Sequence, residues 1–289
     1  MTATRLIGKP IADGILANVS ARANAFASMA GRPPGIAIVL IGDDADADVY
    51  TRSLLRACRR AGLHGEEIHL PATTDEAAAV TAIRRLGDAA AIDAIIVQTP
   101  LPASIRRAAL TDAIPPVKDV DGVSGENTGL LAQGRPRHVP ATARALVLLA
   151  EASGISIAGS RTVVVGRSDV VGLPAALMLL QANATVTVCH RGTVDLMAET
   201  RRAELLVVAV GRPGLITGPM VTPGAVVLDA GTTVTADGLR GDVEAVSVAE
   251  VVAALTPVPG GVGPVTTAVL LQQVVSAAEE RLARRIHGG

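Results

Sequence analysis

The sequence predicts an α/β protein made of two α/β domains, each built on a mainly parallel sheet. Short β-branched runs that end in Gly, Pro or polar residues alternate with longer Ala-, Leu- and Arg-rich runs of helical spacing. This alternation occurs in both halves of the 289-residue chain, which is long enough for one large domain or two smaller ones. Strands that are separated by helices form parallel βαβ units with helices on both faces of the sheet.

Three strand candidates and two helix candidates fill the first half of the chain. The strand candidates contain β-branched residues, and the polar residues at 73–75 are suitable N-caps for the second helix. In chain order we predict a strand at 36–42, a helix at 46–61 that ends at Gly62, a strand at 66–70, a helix from the caps to about Leu86, and a strand at 93–98.

The second half repeats the pattern after a segment rich in Pro and Gly at 114–140. We place the domain boundary there, so that 1–140 forms the first domain and 141–268 the second, while a final helix at 269–289 packs back on the first. The predicted strands are 161–166, 184–189, 204–211 and 225–231, and the predicted helices are 171–183, 193–200 and 267–284.

Composition excludes several classes of partner. The formal net charge is −1, and one Tyr, one Phe and no Trp leave no aromatic platform for stacking bases, so we expect no nucleic-acid partner. The longest apolar runs, such as 205–210, have strand length, and the N-terminus has no long apolar run, so we expect no membrane partner and no signal peptide. Cys58 and Cys189 read as buried free thiols, which fits a cytoplasmic location.

The segment VVVGRSDVVGLP (163–174) combines a strand, a glycine turn and the start of a helix. Gly166 allows the tight turn and Gly172 allows a close approach of the helix, whose free N-terminal amides can bind a pyrophosphate. The spacing G-x5-G differs from G-x-G-x-x-G and is a weak pattern by itself. His190, Arg191 and Thr193 follow the next strand, where an Arg favours a ribose 2′-phosphate and therefore NADP; the alternative is an ordinary solvated loop arginine.

Two further strand ends and one rigid loop complete the expected binding edge of the second domain. VAVGRPGLI (208–216) and VLDAGTT (227–233) place glycines beyond the carboxyl ends of their strands, where ligands bind in such sheets, although ordinary tight turns would look the same. PVPGGVGP (257–264) has three prolines and three glycines ahead of a helix, which indicates a wall of a binding cleft.

The first half offers polar groups at its own strand ends. Gln98 follows a strand and precedes a proline-fixed turn, and PPVKDVDG (115–122) supplies Asp119 and Asp121 beside Lys118. A carboxylate can bind an N–C–NH2 edge through both oxygens, and an amide can donate and accept, so these residues suit a flat heterocycle. Plain turn residues and a metal site are the alternatives; without nearby His or further acids we expect no metal.

The chain resembles the methylenetetrahydrofolate dehydrogenase/cyclohydrolase family, the bacterial bifunctional FolD enzymes. The resemblance covers nearly the whole chain, and the blocks that carry it occur in one order: GDDADADVY, VQTPLP, KDVDG, GRSDVVGLP, TVCHRGT, AVGRPGLITG, PGAVVLDAG, GDV and TPVPGGVGP. It implies a folate domain and a Rossmann-type NADP-binding domain with a cleft between them, a homodimer, and the oxidation of 5,10-methylenetetrahydrofolate in one-carbon metabolism.

The resemblance also implies roles for particular residues. Tyr50, Gln98 and Asp121 would bind or orient the pterin as catalytic residues. The other substrate-binding residues would be Pro100, Pro259, Gly260 and Gly261. The nucleotide would contact Gly166, Arg167, Ser168, Gly172, His190, Arg191, Thr193, Gly211 and Thr232.

Four departures from the family pattern fall in the folate half or the hinge. Family members have Tyr-x-x-x-Lys where this chain has Tyr50 and Leu54, so the catalytic lysine is missing. The other three are QTPLP for Q-L-P-L-P, PATA (140–143) for Pro-Cys-Thr-Pro, and VSGENTG after KDVDG for H-P-x-N-x-G. Arg52 and Arg56 lie about 160° from Leu54 on the helix, so neither can replace the lysine locally; Lys118 is the open alternative.

The missing lysine separates the two reactions of the family. Hydride transfer depends on positioning, whereas hydrolysis of the methenyl cation needs a general acid and base, which a leucine cannot supply. We therefore expect an NADP-dependent dehydrogenase with weak or absent cyclohydrolase activity. The alternatives are a repurposed paralogue that passes the one-carbon unit to another acceptor, and a pseudoenzyme that binds folate or NADP.

Overall fold

The computed structural model describes residues 3–236 and 238–287, and the contacts divide the chain into two compact units. The six-stranded unit comprises Met1–Ala12 and Pro140–Thr266; the three-stranded unit comprises Asp13–Val139 and Thr267–Gly289. The sequence predicts residues 1–140 as one domain. The first twelve residues group instead with the six-stranded sheet, because the strand at Thr4–Arg5 pairs with a strand of that sheet.

Both units are α/β, as predicted from the alternating pattern. The strands are β1 (Thr4–Arg5), β2 (Gly35–Ile41), β3 (His64–Leu70), β4 (Ala94–Val97), β5 (Arg161–Val165), β6 (Thr185–Cys189), β7 (Leu205–Val208), β8 (Val226–Asp229), β9 (Thr233–Thr235), β10 (Gly238–Arg240) and β11 (Ala254–Leu255). The helices are α1 (Lys9–Ala30), α2 (Ala45–Ala61), α3 (Glu76–Asp88), α4 (Arg107–Thr111), α5 (Gly125–Ala132), α6 (Ala141–Ala152), α7 (Gly172–Gln181), α8 (Leu196–Thr200), α9 (Ala245–Ala249) and α10 (Val262–His287).

The six-stranded unit has a fully parallel sheet in the order β1-β11-β8-β7-β5-β6, with a separate antiparallel hairpin formed by β9 and β10. The central strands β7 and β8 are buried along their whole length, as expected for strands covered on both faces. Chain order reverses at β5, which lies between β6 and β7. Ligands bind beyond the carboxyl ends of parallel strands at such a switch point.

The three-stranded unit has a parallel sheet in the order β3-β2-β4. All seven residues of β2 are buried, and α3 packs Ile83 against this sheet. Helix α2 begins at the N-cap Asp44, whose side chain accepts a hydrogen bond from Ala47 N at 2.9 Å, and it ends at Gly62 in the left-handed conformation. Residues 267–289 belong to this unit, in which Gln273 of α10 donates to Val120 O.

Several helices were not part of the prediction. The long helix α1 and helix α6 have no predicted counterpart, α5 lies inside the segment rich in Pro and Gly at 114–140, and α10 begins at Val262 rather than 267. No helix among the described residues is long and apolar enough to cross a membrane.

Candidate functional site

A cavity of about 600 Å³ lies at the carboxyl ends of β5, β6 and β7 in the six-stranded unit. Six of the nine residues that we predicted for the nucleotide line this cavity: Gly166, Arg167, Ser168, His190, Arg191 and Thr193. Leu196, Val210, Arg212 and Leu215 also line it. The sheet therefore brings the strand-end motifs of the second half into one concave site.

The turn after β5 admits only glycine at two positions. Gly166 has φ +125°, and a Cβ there would lie 2.2 Å from Ala209 O. A Cβ on Gly172 would lie 2.2 Å from Gly166 O, so the first residue of α7 can approach the turn closely. The prediction that the helix amides are free is wrong: Gly172 N donates to Ser168 Oγ at 3.5 Å, Leu173 N donates to Ser168 O at 3.0 Å, and Pro174 has no N–H. The cause is Ser168, whose hydroxyl and carbonyl oxygens accept from the first amides of α7.

The loop after β6 is fixed by its own hydrogen bonds. His190 N donates to Thr193 Oγ1 at 2.9 Å, and Gly192 N donates to His190 Nδ1 at 3.0 Å. Arg191 is exposed and lines the cavity, while Thr193 is half-buried. The loop therefore holds the guanidinium of Arg191 on a hydrogen-bonded backbone, at the position where Rossmann sheets contact the adenosine ribose of the nucleotide.

Two buried carboxylates hold the loop after β7. The oxygens of Asp242 accept from Val210 N at 2.6 Å, from Gly211 N at 3.0 Å and from Arg212 N at 2.6 Å. Asp229 in turn accepts from Asp242 N at 3.0 Å. The blocks VAVGRPGLI, VLDAGTT and GDV thus form one connected structure that shapes the cavity wall.

The remaining predicted residues of this unit lie outside the lining of that cavity. Gly211 is in the turn held by Asp242, and Thr232 is exposed ahead of β9. Pro259, Gly260 and Gly261 immediately precede α10, where Gly260 O accepts from Gly8 N at 2.9 Å. Their contacts with a ligand stay a prediction.

In the three-stranded unit, Gln98 and Asp121 lie on adjacent segments. Gln98 follows β4, and its backbone N donates to Val39 O at 2.9 Å. An isolated parallel bridge between Ile95 and Asp119 brings the Asp121 segment alongside β4. Gln98 is 9% exposed, and its Nε2 is buried without a hydrogen-bond partner. An unpartnered buried amide of this kind fits a polar ligand, because leaving it unpaired costs free energy.

The two aspartates of KDVDG differ in their surroundings. Asp119 is fully buried, and its oxygens accept from Ser124 N at 2.8 Å and from Asn127 Nδ2 at 2.9 Å. Asp121 is half-buried and, among the described residues, accepts no hydrogen bond. Asp119 therefore holds the loop in place through hydrogen bonds, including the segment VSGENTG that differs from the family pattern. The Asp121 carboxylate stays available for a ligand.

Tyr50 and Asp121 interact electrostatically. Removal from water raises the pKa of the Tyr50 hydroxyl to about 12, and the charge of Asp121 adds to the rise. Burial raises the pKa of Asp121 to about 6; the charge of Asp119 adds to this rise and the charge of Arg107 opposes it. Tyr50, Gln98 and Asp121 thus offer a hydroxyl, an amide and a carboxylate; Pro100 is exposed in the turn that follows Gln98.

Leu54 belongs to the buried face of α2, together with Thr51 and Cys58. It is 2% exposed, one helical turn after Tyr50, which is 42% exposed. The side chain at this position is therefore core packing with no group that can exchange a proton.

Lys118 does not stand in for the missing lysine in this structure. Its Nζ donates to Ala89 O at 2.9 Å and to Leu86 O at 3.3 Å, at the end of α3 that leads into β4. Asp93, at the start of β4, acts on its pKa, whereas Gln98 follows the other end of the strand. At the rise of a β-strand these two ends are about 16 Å apart. The only other lysine, Lys9, opens α1.

Sequence reasoning missed three residues of these sites. Arg212 lines the nucleotide cavity and Asp242 fixes its wall. Both lie in sequence blocks that carry the family resemblance, AVGRPGLITG and GDV, so their place in these blocks could have indicated a role in the site. Arg107 acts on Asp121 from the start of α4, a helix with no predicted counterpart. The described residues contain no cluster of three or more His, Cys, Asp or Glu side chains that could hold a metal ion.

The fold and the cavity define a two-unit α/β protein with a Rossmann-type nucleotide-binding sheet. Residues 140–282 match the model of the tetrahydrofolate dehydrogenase/cyclohydrolase NAD(P)-binding domain, and residues 6–121 match that of the catalytic domain. The chain belongs to the tetrahydrofolate dehydrogenase/cyclohydrolase family, which confirms the resemblance seen in the sequence.

Individual relatives match along the whole chain. The bifunctional protein FolD of Chloroflexus aurantiacus is 46% identical over 283 residues, which cover 98% of this chain and 99% of that protein. The crystal structure of the bifunctional enzyme FolD from Campylobacter jejuni has a TM-score of 0.93 at 35% identity and covers 96% of this chain and 99% of its own. The crystal structure of FolD from Trypanosoma brucei, complexed with NADP cofactor and inhibitor, has a TM-score of 0.92 at 34% identity. The match covers 98% of this chain and 99% of that chain.

Proposed function

We propose that this protein is an NADP-dependent methylenetetrahydrofolate dehydrogenase in which the cyclohydrolase reaction is weak or absent. The observation that carries the second part is the burial of Leu54 where the family pattern has lysine, one turn after Tyr50. The first part is supported by the family, by the cavity at the ends of β5–β7, and by a relative whose structure contains NADP.

The residues around the cavity fit NADP. Arg167, in the turn after β5, lines the cavity and would face a pyrophosphate, and Arg191 supplies a cation for a 2′-phosphate. When it is bound, NADP supplies the hydride acceptor. The chain contributes a fixed cavity wall, because Asp242 holds three consecutive backbone amides of the loop after β7.

The residues of the three-stranded unit fit a pterin. The ionised Asp121 carboxylate can accept from the N–C–NH2 edge, and the unpartnered Nε2 of Gln98 can donate to a ring acceptor. Tyr50 can donate its hydroxyl hydrogen, since its raised pKa keeps the phenol protonated at neutral pH. These groups orient a substrate for hydride loss, a step that depends on geometry rather than on proton transfer.

Hydrolysis of the methenyl product requires deprotonation of water and protonation of a ring nitrogen. Leu54 cannot exchange protons, and Lys118 is bound at the end of α3. Tyr50 and Asp121 remain. An unassisted phenol with a pKa of about 12 is a weak acid and a poor source of base at neutral pH, and the Asp121 carboxylate is engaged with the N–C–NH2 edge of the pterin rather than with the reacting carbon. The second reaction should therefore proceed close to its uncatalysed rate.

The test supplies 5,10-methylenetetrahydrofolate and NADP to the purified protein and follows NADPH, methenyltetrahydrofolate and formyltetrahydrofolate together. The proposal expects NADPH formation with accumulation of the methenyl product. Absence of NADPH formation would reject the dehydrogenase assignment and favour a repurposed paralogue or a binding protein.

We further propose that the protein is a cytoplasmic homodimer. Strand β6 forms the open edge of the six-stranded sheet, and exposed apolar side chains lie on it and on the neighbouring helix α7: Val188, Leu173 and Leu180. An exposed strand edge beside an apolar surface favours pairing with a second copy. Light scattering on the purified chain tests the dimer, and a monomer at micromolar concentration would reject it.

The two buried free thiols, Cys58 and Cys189, support the proposed cytoplasmic location, because free thiols persist in a reducing compartment.

A further inference from the structure

Four basic side chains gather around one buried carboxylate in the three-stranded unit, at the end of β4 opposite Gln98. The carboxylate is Asp93, whose side chain is 1% exposed. The bases are Arg32, Lys118, Arg281 and Arg285. Arg32 joins Asp93 through two hydrogen bonds of 2.6 and 2.9 Å, and Arg281 Nη1 adds a third at 2.5 Å.

Asp93 has no capacity left to bind another donor. Besides the two arginines it accepts from Gly35 N at 2.9 Å, so four hydrogen bonds occupy its two oxygens. Asp88 is the other acid whose charge acts on Lys118 here. Four cations against two carboxylates leave an excess of positive charge. The pKa values of Lys118 and Arg281 are both lowered, by burial first and then by neighbouring cations.

The cluster borders a cavity of about 120 Å³. Phe26, Met29, Ala30 and Leu282 form its apolar walls, while Arg281 and Arg285 face it with Arg32 and Asp93. Arg281 uses only Nη1 for its hydrogen bonds, to Ile92 O and Asp93, and Arg285 makes no hydrogen bond or ion pair within the described part of the chain. Donors that are held in place beside an apolar wall, with excess positive charge, suit an anion.

We propose that this pocket between the end of α1 and the last turns of α10 binds a phosphate group. Its volume of about 120 Å³ holds one phosphate group but not a whole nucleotide. Arg285 and the free donors of Arg281 would bind the oxygens of the phosphate. The negative charge of the phosphate would offset the repulsion among the basic side chains of the cluster. The occupant is either free phosphate or the phosphate of a small monoester that extends past the exposed Met29.

The experiment is calorimetric titration of the full-length protein with inorganic phosphate and, separately, glycerol phosphate at constant ionic strength. Saturating NADP is present throughout, so that the nucleotide cavity cannot bind the titrant. We expect one saturable site per chain, and the tighter of the two titrants identifies the source of the phosphate. Arg285→Gln should weaken binding about tenfold, because it removes a charged donor.

Arg284→Gln is the matched control, since Arg284 lies on the same helix and pairs with Glu280 at 2.5 Å rather than facing the pocket. It should change the affinity less than twofold. Met29→Glu, which adds a negative charge at the rim, should abolish binding, while Met29→Gln should preserve it. Absence of saturable binding to the wild-type protein, or equal losses in the Arg284 and Arg285 variants, would overturn the proposal.

Discussion

Leu54 lies one turn after Tyr50 on α2 and is almost completely buried, whereas Tyr50 exposes 42% of its surface. The charge of Asp121 acts on the hydroxyl of Tyr50. Because position 54 is a leucine, no ammonium group lies one turn after Tyr50 on the same helix. This relationship connects the sequence departure to chemistry: groups that bind a pterin remain, and the group that exchanges protons is replaced by core packing.

Replacing Leu54 by lysine tests that connection. Burial of an ammonium at this position is unfavourable, so the lysine should extend towards the exposed Tyr50 side, and the free energy of unfolding should fall by about 2–3 kcal/mol as leucine packing is lost. We expect Leu54→Lys to hydrolyse methenyltetrahydrofolate at least about 100-fold faster than the wild-type protein. Loss of the methenyl absorbance measures this rate.

Leu54→Met is the matched control, because methionine is unbranched like lysine and close to leucine in volume, but it has no proton to exchange. Hydrolysis by this variant should equal that of the wild type. If the lysine and methionine variants are folded and hydrolyse equally slowly, the remaining folate-side changes have removed more than one catalytic group.

Asp121 should determine how kcat/KM of the dehydrogenase reaction falls on the acid side of its pH profile. Its pKa is raised to about 6, and only its ionised form accepts from the N–C–NH2 edge, so kcat/KM should fall about tenfold per pH unit below pH 6. Arg107→Gln should move this fall to higher pH, because the charge of Arg107 lowers the pKa of Asp121. A pH profile without an inflection between 5 and 7 would contradict the role of Asp121.

The same shift has a consequence for stability. A carboxyl whose pKa is raised by folding, here from 3.8 to about 6, costs stability as the pH rises through that interval. Asp121→Asn should therefore unfold at a higher denaturant concentration than the wild type at pH 7, although its kcat/KM is much lower. Equilibrium unfolding at pH 4 and pH 7 checks this, since the difference between the two proteins should shrink at pH 4.

Arg191 should determine the choice between NADP and NAD. Removal of a cation that faces a 2′-phosphate should lower kcat/KM for NADP by about 10- to 100-fold while kcat/KM for NAD changes little. Arg191→Gln tests this in initial-rate assays with both nucleotides. Arg202→Gln serves as the control, because Arg202 lies outside the cavity lining and pairs with Glu199 at 3.9 Å. Equal losses with both nucleotides would indicate that Arg191 supports the loop rather than the phosphate.

Asp242 should matter for both stability and nucleotide binding. Asp242→Asn exchanges an oxygen of a buried carboxylate that accepts from backbone amides for an NH2 group that repels them, and the free energy of unfolding should fall by about 3 kcal/mol. The KM for NADP should rise as the wall relaxes. Asp44→Asn at the N-cap of α2 is the control, since Asn caps as well as Asp. Unfolding curves that coincide for both variants would contradict the structural role of Asp242.

The repeated strand–helix pattern was sufficient to predict the α/β fold, because buried parallel strands such as β2 and β7 are unbroken apolar runs. Helix α6 was missed although its sequence, ATARALVLLAEA, is apolar and alanine-rich. It directly follows the segment rich in Pro and Gly, and its N-cap Pro140 provides no side-chain hydrogen bond, so no polar capping residue marks its start. The edge strand β1 has two exposed residues and therefore no hydrophobic signal.

Strand-end glycines predicted where the nucleotide residues meet, because parallel topology places all carboxyl ends on one side of the sheet. Sequence could not show that Ser168 Oγ accepts from the first amide of α7 or that the Lys118 ammonium lies at the end of α3. Both depend on side-chain direction, which spacing along the chain does not determine. The same limit applies to Arg107, whose effect on Asp121 depends on how α4 is placed.

The hydrolysis rate of the wild-type protein tests the central claim most directly. Purified enzyme is mixed with 5,10-methenyltetrahydrofolate at neutral pH, without NADP, and the decay is compared with buffer alone and with a bifunctional FolD that retains the lysine. The account predicts decay within a few-fold of the buffer rate, together with normal NADPH formation from methylenetetrahydrofolate in a parallel assay. Decay at the rate of the lysine-containing enzyme would contradict it.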